Sequence, residues 1–148
     1  NLFGCLYNAA LVKEQFLIVH GGLPTEARTL EDLAYADANH PRTQVLEEIL
    51  WSDPNEIAEE TVSSPRGAGK LFGRKITSEV LDRFGVKVLI RGHEPCEEGF
   101  KISHDSRILT LFSRRGPPYF NTHGAYLLVD LSEKFENAEQ LIPCVRKF

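Results

Sequence analysis

Two short apolar runs in the chain each lead into a histidine that has glycine beside it. The first is Phe16–Val19, followed by His20 and a glycine pair, and the second is residues 86–90, followed by an Arg-Gly-His sequence that ends at His93. Runs of this length are typical of buried β-strands. In open α/β sheets the ends of such strands face ligands, and glycine lets the backbone turn there and leaves room for an ion or a phosphate. The pattern therefore predicts two strands that each present an imidazole at a ligand site.

Helical patterns lie between these two strands. Thr29 has an aspartate three positions later, which is capping-box spacing and predicts the start of a helix. After Pro41, a residue suited to a first helical turn, apolar positions recur at helical spacing as far as Trp51. Glu47 and Glu48 fall on the opposite face of this second helix, so we expect both to face water.

The rest of the chain alternates loop, helix and strand patterns. Residues 52–73 lack regular periodicity and predict a long loop, which in a compact domain is usually functional or disordered. A third helix is predicted from Thr77 as N-cap to Gly85 as C-terminal stop. Apolar runs at residues 108–112 and 126–131 predict two further strands on either side of a cationic, turn-dense loop. The order predicts one α/β unit, or the second half of one, over residues 1–148.

Composition narrows the class of protein. The 148 residues are 42% hydrophobic and 26% charged, which indicates a globular chain with enough apolar material for a core. A net charge of −4 with no basic stripe disfavours a nucleic-acid partner. No apolar run is long enough to span a bilayer and no signal-peptide pattern is present, so no membrane partner is expected.

Cysteine usage indicates the redox compartment. Cys5, Cys96 and Cys144 form no CxxC pair, and an odd number cannot complete a disulfide framework, so a reducing, cytoplasmic setting is predicted. Cys96 is expected to serve packing. Because the chain starts at Asn1 and contains no methionine, we also expect it to be a fragment of a longer protein.

Three side chains are candidates for chemistry, and each has a structural alternative. His20 and His93 are either metal ligands or core histidines satisfied by hydrogen bonds. Arg66, in a glycine-rich loop, is either a solvated charge or a planar donor for two phosphate oxygens. His40 and His104 lie in polar, turn-like surroundings and are interpreted as exposed, whereas His123 stays open.

Six short blocks occur in a fixed order along the chain. They are His20-Gly21-Gly22-Leu23; Leu50-Trp51-Ser52-Asp53-Pro54; Pro65-Arg66-Gly67 with Phe72-Gly73; Arg91-Gly92-His93-Glu94 with Glu98-Gly99-Phe100; Leu109-Thr110-Leu111-Phe112-Ser113; and Asn121 with Gly124-Ala125. With these blocks in this order, the chain closely resembles the C-terminal half of the phosphoprotein phosphatases, the metal-dependent serine/threonine protein phosphatases related to calcineurin. The likeness runs from about Phe16 to Leu131.

The resemblance implies the C-terminal portion of a calcineurin-like metallophosphoesterase fold, an α/β fold with a central β-sandwich flanked by helices. It implies that His20 and His93 are ligands of one of two divalent metal ions, with Mn²⁺, Fe or Zn²⁺ expected. Arg66 would be catalytic and would also bind the substrate phosphate. Asp53 would support the site by hydrogen bonds from behind the ligands, and Trp51 would line a substrate groove.

Two departures from the family pattern qualify these roles. The loop after residue 112 reads Ser-Arg-Arg-Gly-Pro-Pro-Tyr where eukaryotic members carry Ser-Ala-Pro-Asn-Tyr, so Tyr119 is only a candidate for the family's substrate-binding tyrosine. The motifs GDxHG, GDxVDRG and GNHE, which supply the remaining metal ligands, do not occur in this sequence. Residues 1–15 resemble the helix and connection that follow GNHE, and the chain alone is expected to be inactive.

The function implied is hydrolysis of phosphomonoesters of phosphoproteins or phosphopeptides, by attack of a metal-bound hydroxide. Two alternatives remain. One is a non-catalytic module that binds phosphopeptides or a partner protein on the phosphatase scaffold. The other is a phosphoesterase that acts on dinucleoside polyphosphates or other small esters.

Overall fold

The central feature of the fold is a mixed five-stranded sheet. The computed structural model describes residues 6–148, and it orders the strands of this sheet β1-β2-β6-β8-β7. The two histidine-bearing strands are neighbours, because β2 pairs with β6 in parallel, and β6 in turn pairs with β8 in parallel. The carboxyl ends of these three strands therefore meet at one edge of the sheet. The strands are β1 (Ala9–Val12), β2 (Phe16–Val19), β6 (Val88–Arg91), β7 (Phe100–Ser103) and β8 (Ile108–Leu111).

The edge strands of this sheet differ from the sequence-based expectation. β1 pairs antiparallel with β2 as a tight hairpin, whereas the family resemblance implies helix and connection over residues 1–15. Residues 1–5 of that segment lie outside the described part of the chain. β7, which the apolar pattern does not predict, pairs antiparallel with β8. A hairpin partner needs only alternation over four residues, so these strands carry a weak pattern of their own.

Helices cover one face of the sheet. Thr29 caps the first of them as predicted, with both halves of a capping box present. Gly73 rather than Thr77 is the N-cap of the last α-helix, and Thr77 lies inside it with its hydroxyl donating to the Gly73 carbonyl. Gly85 does end that helix, at φ +64°. The helices are α1 (Leu30–Ala34), α2 (Ala36–Asn39), α3 (Val45–Trp51), α4 (Arg74–Arg83) and a 3₁₀ helix (Glu139–Cys144).

The segment 52–73 is not the structureless loop that its composition predicts. It contains a small sheet of three strands in the order β3-β5-β4, in which β3 pairs with β5 in parallel. Each strand is only two or three residues long, which is too short for a hydrophobic period to register. The strands are β3 (Asp53–Pro54), β4 (Val62–Ser63) and β5 (Lys70–Phe72).

Apolar side chains pack on both faces of the five-stranded sheet. One cluster joins Leu17 and Leu89 to the helices through Ile49 and Leu81. The other cluster, on the opposite face, lies under a two-stranded sheet of β9 (Ala125–Leu127) and β10 (Val145–Lys147) and under the 3₁₀ helix. Burial on both faces explains why β2 and β6 read as continuous apolar runs. Among residues 6–148, none of the helices has the length and apolar content that crossing a bilayer requires.

Two polar residues expected at the surface are buried. The helical pattern places Glu48 on the outer face of α3, but its side chain is 1% exposed and pairs with Lys70 Nζ at 2.8 Å. The sequence predicts an exposed His104, but this residue is buried, and its Nδ1 lies 2.7 Å from the hydroxyl of Thr77. His40 is exposed as expected. In both corrected cases the partner is more than twenty residues away in sequence, so local polarity does not reveal the pairing.

The buried His104 leads to a pH-dependence prediction. Burial lowers the pKa of His104, and the nearby Glu56 carboxylate only partly opposes this shift. The unfolded chain therefore binds more protons than the folded chain just below the ordinary histidine pKa of about 6.5. We expect the unfolding free energy to fall as the pH drops below that value. Above it, the contribution of His104 to the unfolding free energy should be constant. Thermal unfolding between pH 8 and pH 5 measures how steeply the unfolding free energy depends on pH. This dependence should be shallower in His104→Gln and unchanged in the exposed control His40→Gln. Equal dependence in all three proteins would contradict the role given to His104.

Candidate active site

The two predicted histidines are brought together at the carboxyl edge of the sheet. His20 follows β2 directly, and His93 follows β6 by two residues. Nδ1 of His93 lies 3.2 Å from Nε2 of His20, and the two rings meet edge to face with centroids 5.1 Å apart. Nε2 of His93 is buried and has no hydrogen-bond partner among the described residues. The imidazole nitrogens thus converge on one small region although they are 73 positions apart in sequence.

The backbone holds His93 in an unusual conformation. His93 has φ +68°, in the left-handed region that a non-glycine residue rarely adopts. On each side of it, the chain is held by a backbone bond: Gly92 N donates to the carbonyl of His20 at 3.0 Å, and Glu94 N donates to that of Gly92 at 2.8 Å. Backbone strain of this kind persists where the surroundings over-determine it, and it concentrates at functional sites. The geometry therefore aims the His93 ring at His20.

The glycines beside His20 have a different role from the one expected of them. A Cβ on Gly21 would lie 2.5 Å from the carbonyl carbon of Leu50, and a Cβ on Gly22 would lie 2.7 Å from the carbonyl oxygen of Ser52. The space is therefore filled by the end of α3, not by an ion or a phosphate. These glycines let the loop after β2 pack against the segment that leads to Asp53.

Asp53 and Arg66 meet beside the imidazoles. Asp53 is buried, and its Oδ2 accepts a hydrogen bond from Nε of Arg66 at 2.8 Å. The Arg66 side chain is 42% exposed, and its two Nη atoms have no hydrogen-bond partner within residues 6–148. Oδ1 of Asp53 lies 3.9 Å from Nε2 of His93. The guanidinium is thus held by one nitrogen next to the histidines, and its other two donors are free for an anion.

Arg91 is a site residue to which the sequence analysis assigned no role. Its side chain is fully buried, and its Nε donates to the carbonyl of Gly21 at 2.5 Å. Its Nη atoms donate to the carboxylates of Asp53 and Glu94, each at 2.8 Å. The one local hint is that a charged residue ends an otherwise apolar run. Arg91 thus links the end of β6 by hydrogen bonds to the loop after β2 and to the segment that carries Asp53.

Electrostatics favours the neutral form of both imidazoles. Burial lowers the pKa of His20, the Arg91 charge lowers it further, and Asp53 opposes both effects. Burial likewise lowers the pKa of His93 against the opposing charge of Asp53. Only the neutral ring has a free nitrogen lone pair, which is the form that binds metals. At pH 7 both rings are therefore in the ligand form.

The residues present fit part of a metal site. Two converging, neutral imidazoles and an unpartnered, buried Nε2 are suitable donors for a divalent ion. A protein-bound metal ion usually has at least three protein ligands. Within the described part of the chain no group of three or more histidine, cysteine, aspartate or glutamate side chains is placed to hold an ion. The pair therefore supplies some, but not all, of the ligands that such a site needs.

The structure places the two aromatic candidates differently. Trp51, at the end of α3, is 45% exposed and meets the His93 ring edge to face at 5.6 Å. Tyr119 lies in the loop after β8, and its ring centroid is 5.0 Å from that of Phe112. The central carbon of the Arg114 guanidinium lies 5.7 Å from the centroid of the Tyr119 ring. Because β8 is parallel to β6, this loop starts at the histidine edge of the sheet. Trp51 thus touches the site directly, whereas Tyr119 shares its edge.

His123 and Cys96 lie among other partners. Nδ1 of His123 lies 3.0 Å from the hydroxyl of Thr122 and 3.6 Å from a carboxylate oxygen of Glu98. Cys96 is buried, as its packing role predicts, and its thiol donates to the carbonyl of Glu94. Neither residue adds a donor to the imidazole pair in the part of the chain that the structure describes.

One known family matches most of the chain. The calcineurin-like phosphoesterase family matches residues 1–97, about two thirds of the chain. The chain belongs to the calcineurin-like phosphoesterase family. It resembles a solved protein serine/threonine phosphatase of Saccharomyces cerevisiae, described as similar to human phosphatase PP5, with a TM-score of 0.67 and 31% identity over 80% of this chain and 38% of that one. The α/β fold class expected from the sequence is confirmed.

Curated relatives of the chain include catalytic subunits of protein phosphatases. It is 39% identical to the serine/threonine-protein phosphatase 6 catalytic subunit of Caenorhabditis elegans, over 76% of this chain and 35% of that protein. It is 33% identical to a protein phosphatase 2A catalytic subunit of Dictyostelium discoideum, over 92% of this chain and 44% of that protein. The chain thus spans less than half of the length of both relatives.

Proposed function

We propose that this protein is a metal-dependent serine/threonine protein phosphatase that hydrolyses phosphomonoesters. The observation that carries the proposal is that the neutral imidazoles of His20 and His93 lie at one edge of the sheet close to the Arg66 guanidinium. The Nε of Arg66 is bonded to Asp53, and its two Nη atoms are available to a ligand. A metal-binding pair beside a phosphate-binding fork suits hydrolysis of a phosphate ester. The protein-phosphatase relatives support serine or threonine phosphoproteins as the substrate class.

In this proposal the histidines hold one of two divalent ions, with Mn²⁺, Fe or Zn²⁺ as candidates. When bound, such ions lower the pKa of water and polarise phosphoryl oxygens. His20 and His93 are neutral at pH 7 and so need to release no proton in order to coordinate. The imidazoles thus set the position of the ion relative to Arg66.

Arg66 is the proposed catalytic and phosphate-binding side chain. Its free Nη atoms present two parallel N–H donors, which match two phosphate oxygens and neutralise charge that develops on them. Asp53 acts on the reaction through Arg66, because it fixes Nε and so the plane of the fork. The exposed rings of Trp51 and Tyr119 are proposed to contact the peptide part of the substrate.

The experiment is an assay of phosphate release by the full-length gene product with Mn²⁺. We expect release from phosphoserine and phosphothreonine peptides and from an aryl phosphate, and little from a dinucleoside polyphosphate. Binding of the phosphopeptide without release would instead indicate a non-catalytic binding module, and a preference for the dinucleoside compound would indicate a small-ester phosphoesterase. The 148-residue chain, measured in parallel by calorimetry, should bind fewer than two Mn²⁺ and be inactive. The cytoplasmic location predicted from the cysteines stays a prediction.

A further inference from the structure

The loop that carries Arg66 has few contacts within itself. It spans residues 64–69 and has two backbone hydrogen bonds, from Ser64 N to the Gly69 carbonyl at 3.3 Å and from Gly67 N to the Ser64 carbonyl at 3.2 Å. Within it, Arg66 N donates to the hydroxyl of Ser64 at 3.2 Å, and a Cβ on Gly67 would meet no atom within 4 Å. These bonds shape a turn but do not set where the turn lies. Besides the bond from Arg66 to Asp53, the position of Arg66 relative to the histidines therefore depends on what holds the ends of the loop.

The end of this loop and the following Lys70 are attached to α3 and to its C-cap, Ser52, by two hydrogen bonds and one ion pair. Gly69 N donates to Oε1 of Glu47 at 2.7 Å, and Lys70 N donates to the hydroxyl of Ser52 at 2.9 Å. Lys70 Nζ reaches Oε1 of Glu48 at 2.8 Å. The contact is tight, because a Cβ on Gly69 would lie 2.6 Å from the carbonyl carbon of Trp51. The same helix thus holds the loop and leads into Asp53.

The buried end of this attachment is fully satisfied. Glu48 also accepts hydrogen bonds from the hydroxyl of Thr25 and from the backbone N–H of Glu26. A buried ion pair adds little net stability, since desolvation of both charges offsets their attraction, whereas a single fully bonded arrangement of such a pair defines a geometry. A pair of apolar side chains would fill the same space without fixing the loop. The Glu48–Lys70 pair is therefore better suited to positioning the loop than to adding to the stability of the fold.

We infer that Glu47 and Lys70 are positioning residues that hold the Arg66 loop on α3, and so align the Arg66 guanidinium for a phosphate ester. The inference rests on the proposed function. Neither residue touches the histidines; each acts through the loop. A displacement of about 1 Å in a catalytic group can lower a rate by about two orders of magnitude, so a loosened loop should reduce catalysis even where Arg66 is intact.

The test is a double-mutant cycle on the full-length gene product, with an aryl phosphate as substrate and inorganic phosphate as inhibitor. Glu47→Ala should lower kcat/KM by roughly tenfold to a hundredfold and weaken inhibition by phosphate. The same substitution in an Arg66→Ala background should have no further effect. Glu47→Gln, which keeps an acceptor oxygen for Gly69 N, should restore most of the activity, and Glu31→Ala, an exposed glutamate of α1, is the matched control.

Each outcome decides between roles. Equal losses from Glu47→Ala in both backgrounds, or no loss in either, would overturn the inference while the proposed function stands. No effect of Arg66→Ala itself would overturn the proposed function as well. If Glu47→Ala does not fold, the double variant Glu48→Gln/Lys70→Met removes the buried pair without leaving a lone charge. It should show the same dependence on Arg66, and additive losses would again contradict the inference.

Discussion

Replacing Arg66 by alanine is expected to lower kcat/KM for an aryl phosphate by about 10³-fold, because its two free Nη atoms are the proposed phosphate-binding donors of the site. The variant should unfold at nearly the same temperature as the unaltered protein, since Arg66 is partly exposed and Asp53 keeps its pair with Arg91. Steady-state kinetics on the full-length gene product measures the loss. Arg66→Lys keeps the charge but not the planar fork, so it should recover only a small part of the rate.

His93→Ala should cause a loss of similar size for a different reason, and the two variants can be told apart. The alanine variant lacks a proposed metal ligand, so raising the Mn²⁺ concentration should restore part of its activity. The Arg66→Ala variant should not respond to Mn²⁺. Arg42→Ala, at an exposed turn position, is the control. Hydrolysis close to the unaltered rate in either variant would remove that residue from the proposed machinery.

Asp53→Ala is expected to lower the unfolding free energy by about 3 kcal/mol, because it removes one of the two carboxylates that pair with the fully buried Arg91. The remaining carboxylate, that of Glu94, is 37% exposed and compensates only in part. Equilibrium denaturation measures the change. Asp53→Asn retains an acceptor for the guanidinium and should be less destabilising.

The comparison with Arg66→Ala makes this prediction specific. Both substitutions break the same pair between Asp53 and Arg66, but only Asp53→Ala leaves a buried guanidinium short of a partner. If both variants have the same unfolding free energy, Arg91 does not depend on Asp53. The stability and activity effects of these two residues should therefore separate.

Much of the local structure follows from short-range sequence patterns. Thr29 and its aspartate define the cap of α1, and the apolar runs before His20 and His93 become neighbouring parallel strands. These features depend on residues within four positions of each other, whose spacing is visible in the chain. Two strand-end histidines and an arginine in a glycine-rich loop predict the grouping of His20, His93 and Arg66, and the family resemblance supports it. The structure places these three residues next to Asp53.

Other parts of the molecule could not be foreseen because they depend on distant partners. Glu48 reads as a surface residue until Lys70 and Thr25 are seen around it. Thr77 has the residue type of a helix cap, but it lies inside α4. Its hydroxyl donates to the Gly73 carbonyl and lies 2.7 Å from Nδ1 of His104. A pattern of polarity records the type of each side chain, and it does not record which group from elsewhere will satisfy it.

By itself, then, the sequence determined the ends of β2 and β6, the cap of α1 and the candidates His20, His93 and Arg66, because each of these depends on neighbours along the chain. Only the tertiary structure decided that Gly21 and Gly22 allow close packing against the end of α3. It also decided that the buried Arg91 bonds to both the Gly21 carbonyl and the Asp53 carboxylate. The physical reason is that a buried charge is tolerated only where several distant groups converge on it. That convergence is a property of the folded chain.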